Sequence, residues 1–225
     1  AYEISACLVG SEMCIETGIV SYITGNAAAV SVSPTTFALV GTNTTQTIDV
    51  TVTVPSGYSN TASGICSTIG GGYSNDASCI ASTVSGGLTN TASNYAATVS
   101  GGYKNTADGN SSFIGGGSCN ISSTGYSTIS GGFSNTASNN DSTVSGGYGN
   151  TSSGVRSTVG GGRQNTSSGT YSFVGGGFCN IASAGASFIG GGCCNTLSSY
   201  QSVIGGGIFN TISSQNSIIG GGACN

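Results

Sequence analysis

The stretches Asn60-Thr-Ala-Ser-Gly-Ile-Cys-Ser-Thr-Ile-Gly-Gly-Gly-Tyr-Ser74 and Asn90-Thr-Ala-Ser-Asn-Tyr-Ala-Ala-Thr-Val-Ser-Gly-Gly-Tyr-Lys104 are two versions of one fifteen-residue unit. Asparagine recurs at every fifteenth position without a gap: Asn60, Asn75, Asn90, Asn105, Asn120, Asn135, Asn150, Asn165, Asn180, Asn195, Asn210 and Asn225. Val or Ile stands nine residues after each of the first eleven, from Ile69 and Val84 to Ile219. Gly-Gly pairs recur from Gly71-Gly72 to Gly221-Gly222. A period this short and strict is the signature of a solenoid, in which each unit is one coil stacked on its neighbour.

The unit reads as two short strands and two tight turns. In Asn-Thr-Ala-Ser the Ala points inward and the Thr and Ser outward; in Ser-Thr-Val the Val or Ile points inward. The Gly pair and the turn after Ser make the corners, where glycine reaches positive φ without steric cost. A helix is excluded: Gly, Ser, Thr and Asn are poor helix formers, and no 3.6-residue apolar pattern exists. Coils about 4.8 Å apart bring identical side chains into columns, so the asparagines are expected to bond amide to amide along the axis. Ala facing Val or Ile gives a thin core at about 25 cal/mol per Å² buried. Continuous backbone ladders and burial against other chains are the two available supports.

The fold class is therefore all-β: a parallel β-roll or β-solenoid of about eleven 15-residue coils over residues 56–225, preceded by a small β-rich N-terminal domain at 1–55. That first region holds both prolines (Pro34, Pro55) and the one Met. Its strand candidates are Tyr2–Val9, Gly18–Thr24, Ala28–Ser33, Thr36–Val40 and Gln46–Val54, and its expected role is attachment or subunit joining. Asn225 falls a third of the way through a unit, so the solenoid is expected to continue beyond it.

Composition narrows function. Of the 225 residues only 4 % are charged, 41 are Gly, and His and Trp are absent. The net charge is −4 with three basic residues, which leaves no electrostatic footprint for nucleic acid. No apolar run is long enough for a membrane span. General acid–base chemistry wants His or paired carboxylates, whereas the repeats hold Asp76, Asp108 and Asp141 in different columns. Ser is abundant but has no His to activate it. A metal site is not indicated, with no His and no Cys-x-x-Cys, and no cofactor is expected.

The spacing in Ala62-Ser-Gly-Ile-Cys-Ser-Thr-Ile-Gly-Gly71 and Ala107-Asp-Gly-Asn-Ser-Ser-Phe-Ile-Gly-Gly116 resembles the head repeats of trimeric autotransporter adhesins. Similar repeats occur in phage and giant-virus fibres. The resemblance covers about residues 56–225 and implies a left-handed parallel β-roll and a homotrimer.

Three sets of columns are candidates for contact. Two residues before Asn runs an aromatic or apolar column: Tyr58, Tyr73, Tyr103, Phe133, Tyr148 and Phe178, with Leu88 and Ile208. Such a row stacks on itself, packs against another chain, or takes sugar rings. The Thr column beginning at Thr61, with Ser two residues on, gives a hydroxyl array of the kind ice-binding solenoids use; Asp76, Ile121 and Ile181 interrupt it. The nine cysteines point to an oxidising setting. Cys179 and Cys194 share a column in neighbouring coils, within disulfide reach. Cys7 with Cys14, and Cys66 with Cys79 across a turn, are further candidate pairs. The sequence thus reads as a non-enzymatic structural fibre or filament protein, a viral or phage fibre or a cell-surface adhesin spacer. Its setting is extracellular or on a virion surface, and its partners are itself, as trimer or filament neighbours, and a cell-surface glycan. The alternative is a binding module that uses the roll faces for carbohydrate or ice.

Overall fold

A computed structural model describes residues 58–225 continuously, with side chains from Ser59 onward, and five short strands before them. Ala6–Val9 pairs antiparallel with Glu12–Ile15, Ile23–Thr24 with Ala27–Ala28, and Thr53–Val54 with Tyr58–Ser59. These fall partly inside the expected strands; the candidate Thr36–Val40 lies outside the described residues.

From Asn60 the chain is a parallel β-solenoid. Two eleven-stranded sheets run its length, one of strands from Thr61–Ala62 to Thr211–Ile212, the other from Thr68–Ile69 to Ile218–Ile219. Every strand residue of one coil pairs with its equivalent fifteen further on, as in Thr83↔Thr98 and Val84↔Val99. The strands are two residues each, shorter than the sequence reading, because turns crowd both ends.

Two features depart from that reading. A third column of parallel bridges, from Tyr73↔Leu88 to Ile208↔Ala223, adds a third paired position to each coil, so the rung is more than two-stranded. The corners are also made differently. Left-handed φ of 50–58° falls on non-glycine residues in two columns, such as Ala96 and Ser111 on one and Ser74 and Lys104 on the other. At these residues the peptide flips: Lys104 N–H donates back to Leu88 O at 2.9 Å, whereas Tyr103 N–H donates forward to Gly117 O at 2.9 Å.

Of each glycine pair, the second is the one the coil demands. Gly132 has φ +93°, and a Cβ there would lie 2.3 Å from Gly147 O. At Gly131 a Cβ would meet nothing within 4 Å. Close stacking of backbone on backbone, rather than turning alone, fixes this column.

The core has four inward columns, two more than the apolar pattern shows. Ala or Ser (Ala77, Ala137, Ser152) and Val or Ile (Val84, Ile114, Val144) are joined by the asparagines and by a residue seven after each Asn, which is Ser (Ser82, Ser127, Ser157) except for Ala97. These serines close their turn: Ser82 Oγ donates to Cys79 O at 2.7 Å. Where the alanine column carries Ser, the two hydroxyls meet, as Ser152 and Ser157 do at 2.6 Å. A polar interior this narrow is tolerated because nearly all its groups are paired; Ser67 Oγ in the first coil is an exception.

Candidate functional site

The asparagine column runs inside the coil, buried from Asn75 to Asn210. Each amide is bonded mainly to backbone. Asn135 Nδ2 donates to Gly131 O in its own coil at 3.0 Å and to Gly147 O in the next at 3.0 Å. Its Oδ1 accepts the Asn150 backbone N–H at 2.9 Å. The same three bonds recur along the column, for example around Asn105 and Asn165. Direct amide-to-amide bonds join only some steps, among them Asn105 to Asn90 at 3.2 Å and Asn195 to Asn180 at 3.0 Å. The side chain thus supplies one donor to Gly131 O, a second to Gly147 O, which also accepts the Phe133 N–H, and one acceptor to the Asn150 N–H, a combination that no other side chain of that length provides. Because its amide faces inward, the column offers nothing to an external ligand. Asn120, Asn150 and Asn165 lie in glycosylation sequons yet are buried, while the sequon residues Asn110 and Asn140 are exposed.

Outward, the aromatic column lies along the third set of bridges. Tyr73, Tyr103, Phe133, Tyr148 and Phe178 are 38–46 % exposed; the Tyr58 side chain lies outside the described residues. Phe133 and Tyr148 stack at 5.3 Å with planes 16° apart. The Arg163 guanidinium sits over Tyr148 at 5.2 Å and over Phe178 at 5.6 Å, so four successive coils carry one continuous π–π and cation–π stack. Lys104 lies over Tyr103 at 5.1 Å, and the Tyr103 hydroxyl pushes the Lys104 pKa up. The ring faces of Phe133 and Tyr148 are turned to each other, and their edges to solvent.

The two strand faces are flat rows. Thr83, Thr98, Thr128, Thr143 and Thr158 give way to Phe173, Phe188, Val203 and Ile218 toward the C-terminal coils. Phe173 and Phe188 stack at 5.2 Å with planes 7° apart. Where this position is Phe, the residue two further on is Gly (Gly115, Gly175, Gly190), and the ring edge lies over it. On the left-handed corner, Asp141, Arg156 and Tyr171 stand one above another; Arg156 Nε is 3.4 Å from Asp141 Oδ2 and its Nη1 donates to the Tyr171 hydroxyl. The Tyr171 hydroxyl, then Asp141, raise the Arg156 pKa.

The expected disulfides Cys66–Cys79 and Cys179–Cys194 are not formed: all four are free cysteines. Cys79 stacks on Gly64, two positions round the corner from Cys66. Cys179 Sγ faces Gln164 Oε1 at 3.7 Å, and Cys194 Sγ faces Cys193 Sγ at 3.1 Å. Cys7 and Cys14 are register partners in the first hairpin, and their side chains lie outside the described residues. Among the described residues no group of three or more His, Cys, Asp or Glu is arranged to hold a metal ion, and no helix is long and apolar enough to cross a membrane.

Sequence reasoning missed the buried serine column and the glycine carbonyls that hold the asparagines. The serine signal is present, since Ser stands two residues before the inward Val or Ile in every unit but the one with Ala97. The sequence reading assigns an inward face only to the Val or Ile of Ser-Thr-Val, although period-two alternation puts the Ser two residues before it on that same face.

No curated protein matches the chain. Residues 127–138, less than one full coil but carrying the inward Ser127, Ile129, Asn135 and Ala137, match the family model of the ubiquitous surface protein adhesin repeat.

Proposed function

We propose that this chain is a non-enzymatic structural segment of a surface-exposed adhesin or fibre, acting as a spacer that holds other modules at a fixed distance. The observation that carries this is the unbroken register over eleven coils, with every rung built from the same four inward columns. At about 4.8 Å per coil, that is a rod of roughly 50 Å. The adhesin-repeat match supports the same reading.

A thin rod with long apolar rows on its outside gains by burying them against copies of itself. The run Phe173, Phe188, Val203, Ile218 and the stacked aromatic column are the surfaces for that contact, and the resemblance to trimeric adhesins supports a homotrimer on the outside of a cell or virion. Mass photometry of the full chain at nanomolar to micromolar concentration tests this: trimers are expected, and a monodisperse monomer at every concentration overturns it. Glycan binding through the aromatic column is the second reading, favoured by the exposed edges of Phe133 and Tyr148. Tyr148→Ala would then abolish retention on a glycan array while leaving assembly intact.

A further inference from the structure

Adjacent residues on a strand point to opposite faces, yet at one corner of this solenoid neighbours converge. The position two before Asn lies in the bridge column and the next is left-handed, and this pairing of conformations turns both side chains to the same side. Three coils show it. Lys104 lies over the ring of Tyr103. Ser118 Oγ donates to Cys119 Sγ at 3.6 Å. Cys193 Sγ and Cys194 Sγ stand 3.1 Å apart, with Cys194 at φ 58°. Both thiols are partly exposed and unoxidised. The closeness of Cys193 and Cys194 is therefore a property of the corner.

We propose that Cys193 and Cys194 form a dithiol modification site that closes to a disulfide within one corner, oxidised by a low-molecular-weight disulfide of the glutathione class. The Cys194 thiolate attacks one sulfur of the reagent, forming a mixed disulfide and releasing one thiolate. Cys193 loses its proton and attacks Cys194 Sγ, and the second reagent sulfur leaves as thiolate. The S–S bond of the reagent breaks, one S–S bond forms in the protein, two electrons pass to the reagent, and the two cysteine protons end on the two released thiols. The hydrogen bond to Cys194, with burial, pushes the Cys193 pKa up, which fits Cys193 as the second rather than the first nucleophile.

The geometry favours this pair over the inter-coil one. Cys179 is one coil away in the same column as Cys194, but its Sγ is turned toward Gln164 on the far side. Adjacent Cα atoms lie about 3.8 Å apart, below the usual disulfide span of about 4.4–6.8 Å, so the closed form is strained and readily reduced. The site is a reversible one, unlike a permanent staple between coils or chains.

The test is oxidation of the full chain with oxidised glutathione, alkylation of remaining thiols, and chymotryptic digestion. Cleavage after Phe188 and Tyr200 isolates Ile189–Tyr200, which contains Cys193 and Cys194 and no other cysteine. The expected fragment is unalkylated and two hydrogens lighter than the dithiol, in the native chain and equally in Cys179→Ser, and closure is slower when the chain is unfolded in urea. Recovery of the fragment alkylated on both cysteines, joined to the fragment bearing Cys179, or joined to a second chain overturns the proposal. So does closure at the same rate in the unfolded chain.

Discussion

Gly131 and Gly132 are neighbours of one amino-acid type, and the structure assigns them opposite sensitivities. At Gly132 a Cβ would lie 2.3 Å from Gly147 O, 2.8 Å from Gly147 N and 2.6 Å from Asn135 Nδ2, with φ at +93°. Ordinary contact begins at 3.4 Å, so the next coil must retreat by about an ångström. That retreat stretches Phe133 N–H to Gly147 O, now 2.9 Å, and Asn135 Nδ2 to Gly147 O, now 3.0 Å. Two weakened hydrogen bonds at about 1 kcal/mol each, with about 1–3 kcal/mol for an L residue at that φ, give a destabilisation of about 3–5 kcal/mol for Gly132→Ala. Gly131→Ala meets nothing within 4 Å and needs no left-handed conformation. It restricts the unfolded chain and is expected to stabilise by about 0.4–1 kcal/mol. Because solenoids open locally, the assay is amide hydrogen exchange by mass spectrometry, coil by coil, with the denaturation midpoint alongside. Protection should fall across the coils containing Phe133 and Tyr148 in Gly132→Ala and be unchanged or higher in Gly131→Ala. Equal effects of the two substitutions would refute the claim that backbone-on-backbone stacking fixes this column.

Further substitutions probe other columns. Asn135→Ala leaves Gly131 O and the Asn150 N–H without their partners and should cost about 2–5 kcal/mol in urea denaturation. Asn135→Asp keeps the shape but buries a carboxylate against two carbonyls. Burial raises its folded pKa above the unfolded one, so the variant should be least stable near pH 7 and regain stability as pH falls toward 4; a pH-independent defect would contradict this. Ala96→Gly relieves a left-handed alanine at φ 51° and should raise stability by about 0.5–1 kcal/mol in the same denaturation series. Asp141→Asn breaks the Arg156 ion pair, whose side chains are both about half exposed, and should shift the thermal midpoint little, by under about 1 kcal/mol of stability.

The period told which residues share a column and that the coils stack in parallel, since fifteen-residue identity leaves one register for Val84, Val99 and their equivalents. The inward Ala and Val or Ile were legible because apolar side chains repeat at fixed offsets. What the asparagines bond to was not legible. Their identity advertises an amide ladder, but the partners Gly131 O and Gly147 O are backbone atoms, whose positions depend on the path of the corner rather than on residue type. The left-handed corners were hidden for a related reason: they fall on Ser74, Lys104, Tyr126 and Arg156, none of which signals positive φ, because stacking between coils overrides local preference. The thiols followed the same rule. Sharing a column brought Cys179 and Cys194 near in Cα position, yet side-chain direction at a left-handed residue paired Cys194 with Cys193.

The central claim, a stacked interior spine of asparagine amides, is tested most directly by hydrogen exchange at the side chains themselves. In the chain labelled with 15N-asparagine, the side-chain NH2 signals of Asn75 through Asn210 at fifteen-residue steps should exchange with deuterium as slowly as the backbone amides of the Val and Ile strands. Those of the exposed Asn110, Asn140 and Asn216 should exchange within the dead time. Uniformly fast exchange of all asparagine side chains would mean that the amides face solvent and that the coils are not held together in this way.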